Sequence, residues 1–197
     1  MIPRDPFQVR LSGSGGQGVI LAGVLLAEAG MYDGLHVVHT QSYGPAARLG
    51  AAKSDVVLSH GEIAFPEVTL PDSLVCLSRD AYAKYGAQLA PGGVRVVDRQ
   101  VPAETAEAPG SVLRLPILQT ARELGPGGAI TANVVALGVI VALSGIVSHP
   151  SLARAIQERV KRATLDLNER ALEAGLHLGA GIREELSHVP QEAERVP

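Results

Sequence analysis

The segment Gly13-Ser14-Gly15-Gly16-Gln17-Gly18 decides how this chain of 197 residues folds. Ahead of it, Phe7, Val9 and Leu11 alternate with Gln8 and Arg10, the period of a strand with one buried face. Behind it, Val19, Ile20, Val24, Leu25 and Leu26 recur at helical spacing. The order is strand, glycine turn, helix. Glycines let such a turn take positive φ and let other atoms approach its backbone closely. The N–H groups that open the helix have no partner within it, so they form a ready seat for an anion. A phosphate-bearing ligand is the first to expect.

Three readings of the turn compete. A Walker A loop needs Lys and then Ser or Thr after its last glycine, and Val19 and Ile20 stand there instead. The Gly13-x-Gly15-x-x-Gly18 spacing matches the dinucleotide fingerprint, which also requires an acidic residue just after the second strand. That strand is predicted over 35–40 and ends in His39, Thr40 and Gln41, while Asp33 lies before it, at the wrong end. A nicotinamide or flavin site thus lacks its ribose anchor. The third reading is a tight turn that only packs helix on sheet.

Composition narrows the class. With 46% hydrophobic and 19% charged residues, the chain fits one globular α/β domain over residues 1–180. Residues 181–197 are expected to form a polar, disordered tail. A net charge of −3 advertises no surface for a polyanion, and two Phe with no Trp leave few stacking platforms, so nucleic acid is not an expected partner. Cys76 is the single cysteine, which excludes an intrachain disulfide and a cysteine-ligated iron–sulfur cluster. Within the apolar run Ser73–Ser78 it reads as a buried, inert thiol. Arg4, Asp5 and Pro6 occupy the place of a signal peptide's apolar core, and the apolar run Val134 to Leu143 is too short to span a bilayer. A cytoplasmic location away from membranes is the expectation.

Along the chain, strands are predicted at 7–12, 35–40, 54–59, 73–78, 94–98 and 112–115, and helices at 17–30, 79–89, 117–124, 131–145 and 151–174. Such alternation argues for a three-layer α/β/α fold with a mostly parallel, mixed sheet and a Rossmann-like glycine turn. Between 49 and 78 no helix separates two strand candidates, so an antiparallel or edge strand belongs there. Gly125-Pro126-Gly127-Gly128 breaks the chain before Thr131, a suitable N-cap for the helix at 131–145. That helix is apolar around most of its circumference and should be buried under the sheet or in an interface.

Catalytic constellations are missing. His36 and His39 lie three apart on a strand and point to opposite faces. No His-Glu-x-x-His or Gly-x-Ser-x-Gly occurs. The carboxylates Glu158, Asp166, Glu169 and Glu173 read as a solvated helix face. A second motif is more telling. Gln41-Ser42-Tyr43-Gly44-Pro45-Ala46-Ala47-Arg48 turns by Gly-Pro chemistry and delivers an arginine. Loops after parallel strands share the carboxyl edge of a sheet, so Arg48 is expected beside the glycine turn, where its planar fork suits phosphate. A tie to a backbone carbonyl or a carboxylate is the alternative role.

These motifs, with Lys53-Ser54-Asp55-Val56-Val57-Leu58-Ser59, Asn133-Val134-Val135-Ala136-Leu137-Gly138 and Asn168-x-x-Ala171-x-x-x-Gly175, resemble the gamma subunit of 2-oxoacid:ferredoxin oxidoreductases. The 2-oxoglutarate and 2-oxoisovalerate branch is the nearest, and domain III of pyruvate:ferredoxin oxidoreductase is similar. The resemblance runs from about residue 7 to 180 and departs at Ala46, where the family often has an acid, and at Leu49, where it often has glycine. It implies a subunit inactive alone, with thiamine diphosphate, Mg2+ and [4Fe-4S] clusters in alpha and beta partners, a ferredoxin-like delta chain in some assemblies, and ferredoxin as electron acceptor. Coenzyme A is the implied co-substrate, and Gly13, Gly15, Gly16, Gln17, Gly18, Ser42, Tyr43, Gly44 and Arg48 are the candidates to face it or the partner chains. A free-standing nucleotide-binding reductase or sensor is the alternative from another class.

Overall fold

The computed structural model describes residues 4–42, 50–105 and 112–188. Six strands form one sheet: β1 (Phe7–Ser14), β2 (His36–Ser42), β3 (Ala51–Ser59), β4 (Ser73–Cys76), β5 (Val94–Asp98) and β6 (Val112–Leu115). Among the described residues six α-helices accompany them: α1 (Val19–Tyr32), α2 (Arg79–Tyr85), α3 (Ile117–Glu123), α4 (Ala132–Ser144), α5 (His149–Arg159) and α6 (Leu165–His188). The strand order is β2-β3-β1-β4-β5-β6, with β1, β4, β5 and β6 mutually parallel. β3 runs antiparallel to both β1 and β2. The expected antiparallel strand is therefore present, but it sits inside the sheet rather than at its edge.

The alternation in β1 sorts the sheet into two faces. Val9 and Leu11 join Val56, Leu58, Val75 and Val96 in the larger core under α1, α3 and α4, with α5 and α6 packed outside them. Leu74, Cys76 and Val97 face the other way, against Ala81, Tyr82 and Tyr85 of α2. Every residue of α4 from Ala132 to Val141 is buried, as its all-round apolar surface requires. α6 crosses α4 at backbone contact. A Cβ added at Gly175 would stand 2.1 Å from the Val135 carbonyl oxygen, and one at Gly138 would stand 2.6 Å from that of Leu172. Only glycine permits this approach.

Three element boundaries differ from the pattern reading for identifiable reasons. The helix expected at 151–174 is two helices, because Val160 and Lys161 adopt extended backbone (ψ 152° and 139°). The break lets α5 pack on α1 while α6 packs on α4. α6 then continues to His188, so the domain boundary placed at residue 180 falls inside a helix, and residues 189–197 lie outside the described residues. β4 stops at Cys76 because Ser78 turns out to N-cap α2, its Oγ accepting the Ala81 N–H at 3.3 Å. Thr131 does occupy the N-cap position of α4, yet its hydroxyl donates back to Gly128 O at 2.8 Å and caps nothing.

Candidate functional site

The glycine turn lies at the carboxyl edge of the parallel strands, and its shape is fixed by two amide side chains. Gln17 Oε1 accepts the Ser14 N–H at 2.7 Å, while its Nε2 donates to the Leu77 carbonyl at 3.1 Å, just past β4. The Gln17 N–H closes the turn on Ser14 O at 3.1 Å. Asn133, at the start of α4, donates Nδ2 to Gly18 O at 3.1 Å. Gly18 has φ +71°, a left-handed conformation that a side chain would strain. β1, β4 and α4 are thus pinned together through one loop, which makes it rigid.

Among the described residues, no side chain caps the first turn of α1. Its N-cap, Gly18, offers no side chain, and no acidic residue occupies the first turn. Those N–H groups keep their partial positive charge for something outside the helix. Gly15 and Gly16 are exposed above them, whereas Gly13 is buried under Gln17. An anion is the chemistry such an arrangement can take.

Ser42 ends β2 at the same edge and is exposed; it stands in register with Lys53 of β3, which in turn faces Ser12 of β1. Tyr43, Gly44 and Arg48 lie outside the described residues, in the segment between Ser42 and Gly50. The insertion of β3 separates β2 from β1 by a full strand. Adjacent parallel strands around a crossover helix, which the dinucleotide fingerprint requires, are therefore not formed here. That geometry argues against a nicotinamide or flavin site beyond the missing acid.

Beneath this edge lies a buried ionic cluster that pattern reading did not single out. Arg10 forks onto Asp55, directly opposite on β3, with Nε–Oδ1 2.7 Å and Nη2–Oδ2 2.9 Å. Its remaining donors reach Val68 O at 2.5 Å and the Gln88 side-chain oxygen, and its guanidinium stands 5.5 Å from the Tyr85 ring centroid. Lys53 Nζ adds a third bond to Asp55, 2.6 Å from Oδ2. The signal was the parity of β1, which set Arg10 on the face opposite Val9.

Other titratable groups are structural. His39 holds Ser54 Oγ at 2.7 Å, and burial lowers its pKa against the opposing pull of Asp55. Burial pushes the Cys76 thiol up to about 11, against the weaker opposing effect of its Ser12 contact. No group of three or more His, Cys, Asp or Glu able to hold a metal ion forms among the described residues. A cavity of about 300 Å³ opens at the opposite, amino edge of the sheet, between Phe7, Ser73, Val94 and Leu143. It is remote from the glycine turn.

The model of the pyruvate ferredoxin/flavodoxin oxidoreductase family matches residues 8–178, and the chain belongs to that family. It is a small gamma-type subunit of the 2-oxoacid:ferredoxin oxidoreductases. The 2-oxoglutarate synthase subunit KorC of Methanocaldococcus jannaschii is 44% identical to it over 171 residues, 85% of this chain and 91% of that protein. The solved gamma subunit of a keto/oxoacid ferredoxin oxidoreductase from Geobacter sulfurreducens PCA is 40% identical, with TM-score 0.77 over 89% of this chain and 99% of the other. A 2-oxoglutarate:ferredoxin oxidoreductase from Magnetococcus marinus, with 2-oxoglutarate, coenzyme A and succinyl-CoA bound, superposes with TM-score 0.80 at 26% identity. There the match covers 90% of this chain but 32% of the longer one, so the same domain is fused to further polypeptide in that enzyme. No helix among the described residues is long and apolar enough to cross a membrane.

Proposed function

We propose that this chain is the gamma subunit of a 2-oxoglutarate synthase-like enzyme of the cytoplasm. The assembled enzyme oxidatively decarboxylates a 2-oxoacid, passes electrons to ferredoxin and transfers the acyl group to coenzyme A. The observation that carries this reading is the 44% identity to a 2-oxoglutarate synthase subunit over 91% of that protein's length. Thiamine diphosphate, Mg2+ and the [4Fe-4S] clusters then belong to alpha and beta chains, with a ferredoxin-like delta chain where one is present. A single cysteine is too few to ligate a cluster, which supports that division.

This chain's own contribution, in the same reading, is to hold the phosphates of coenzyme A. Gly13, Gly15, Gly16, Gln17 and Gly18 shape the turn, and the uncapped start of α1 offers its N–H groups. Ser42 ends β2 at the same sheet edge, and in this reading Tyr43, Gly44 and Arg48, which lie outside the described residues, are the further candidates to face the phosphates. Arginine there adds a charge-assisted contact. The test is Arg48→Ala in the complex co-expressed with its partners. Removing such a bond costs about 1.5–3 kcal/mol, so the KM for coenzyme A should rise roughly 10- to 100-fold. An unchanged KM in an intact complex would remove the ligand role, and loss of assembly would move Arg48 to the subunit interface. The isolated chain should oxidise no 2-oxoacid; activity of the chain alone would favour the free-standing reductase.

A further inference from the structure

The two edges of the sheet are built differently. β6 is four residues long, and Arg114 on it bonds Val101 O and stacks 5.7 Å over Tyr82, so this edge is short and charged. β2 at the other edge is seven residues, His-Val-Val-His-Thr-Gln-Ser, with no Lys, Arg, Asp, Glu or Pro. Soluble proteins blunt a free edge with charge, proline or shortness, because its unpaired N–H and C=O groups recruit other strands. β2 carries none of those protections.

The adjoining sheet face is open as well. α1 covers β2 and β3 on one side, whereas on the other side α2 packs against β1, β3 and β4, and among the described residues no helix packs on that face of β2. His36, Thr40 and Ser42 are exposed on that side, and Val38 is half-buried. Beside them sits Lys53, with a side chain 27% exposed. The cluster it belongs to counts two cations, Arg10 and Lys53, for one carboxylate, Asp55. Among the described residues, no second carboxylate is bonded to either cation.

We infer that the β2 edge and its open face are where this subunit docks a chain of another kind, whose acidic side chain neutralises Lys53. The inference rests on the reading of the protein as one subunit of several. A second copy of this chain fits poorly, since it would bring another uncharged β2 and another Lys53 to the contact. A partner strand laid along β2 would satisfy the edge backbone, and its carboxylate would complete the charge balance.

Hydrogen exchange of the free chain and of the complex co-purified with its partner subunits tests this directly. Amides of 36–42 should exchange freely in the chain alone and become protected on assembly. Lys53→Gln, which leaves the Arg10–Asp55 pair intact, should weaken partner binding by about 10-fold or more while the chain's melting temperature barely moves. Gln41→Pro, which obstructs the edge, should also lower the yield of complex. Assembly that protects other segments and leaves 36–42 exchanging as before would overturn the docking surface but not the subunit reading. Equal partner affinity of Lys53→Gln and the native chain would overturn the charge argument. A chain that forms only homodimers through β2, or none of whose co-expressed candidate partners binds, would overturn both.

Discussion

Replacing Gly175 by alanine sets two effects of opposite sign against each other on one helix. Alanine is favoured over glycine in a helix interior by about 0.8–1 kcal/mol, so an unobstructed substitution should stabilise. At Gly175 the new Cβ would lie 2.1 Å from Val135 O, 2.9 Å from Val135 C and 3.0 Å from Gly138 Cα, all backbone atoms that cannot rotate aside. Relief requires α6 to move off α4 by roughly 1 Å, which opens a close-packed interface along its length. α4 cannot yield in the other direction, because every residue from Ala132 to Val141 is already buried. Overpacking of this kind costs about 1–3 kcal/mol, and backbone contact puts Gly175 at the upper end. The net is a destabilisation of about 2 kcal/mol, or a fall of roughly 4–8 °C in melting temperature for a domain of this size. Gly181 on the same helix has nothing within 4 Å of its would-be Cβ, and Gly181→Ala should raise the melting temperature by a few degrees at most. Thermal unfolding of the two variants by circular dichroism gives both signs. If Gly175→Ala is as stable as Gly181→Ala, α4 and α6 do not meet at backbone distance.

Gln17→Ala should cost about 1–2 kcal/mol by leaving the Ser14 N–H and Leu77 carbonyl without their bonds, and it should raise the coenzyme A KM in the complex if the turn seats phosphate; denaturant unfolding and steady-state assays read the two separately. For His39, burial holds the folded-state pKa below its ordinary 6.5, so the unfolded chain binds the extra proton first; stability is full above pH 6.5 and declines as pH falls below it toward the folded value. His39→Gln should remove that slope from a plot of melting temperature against pH, and an unaltered slope would place its origin elsewhere. Asp33 is raised by burial but lowered more by the bonds from Ser151 and Ser148 at the start of α5, so its net shift is downward. The stabilisation is present above 3.8 and is lost as pH falls through the folded value; Asp33→Ala should cost about 1 kcal/mol at neutral pH, discounted for its exposure, and progressively less as pH falls below 3.8. Cys76 should resist alkylation until the chain unfolds, since a buried thiol near pKa 11 is scarcely ionised at neutral pH; fast labelling of the folded chain would contradict its burial.

Local physics made much of this fold legible, and the exceptions share one cause. The parity of Phe7, Val9 and Leu11, the glycine turn and the apolar circumference of 131–145 are properties of short segments, and the folded chain keeps each of them. Strand direction is not such a property. β3 reads Ala-Ala-Lys-Ser-Asp-Val-Val-Leu-Ser whichever way it runs, and only the lack of a helix between it and β4 hinted that it breaks the parallel pattern. Its place between β2 and β1 decides the site, because it moves Ser42 two strands away from the glycine turn and brings Asp55 opposite Arg10. Arg10 and Asp55 are 45 residues apart in sequence, so no spacing rule could pair them. Once paired, however, they explain why β3 tolerates a buried carboxylate at all. Among the described residues the Arg10 fork and Lys53 supply the bonds that Asp55 accepts, and losing Arg10 would leave a buried carboxylate with Lys53 as its remaining charged partner. The same strand that separates β2 from β1, and so defeats a dinucleotide-binding crossover, thus brings the carboxylate that answers the buried Arg10.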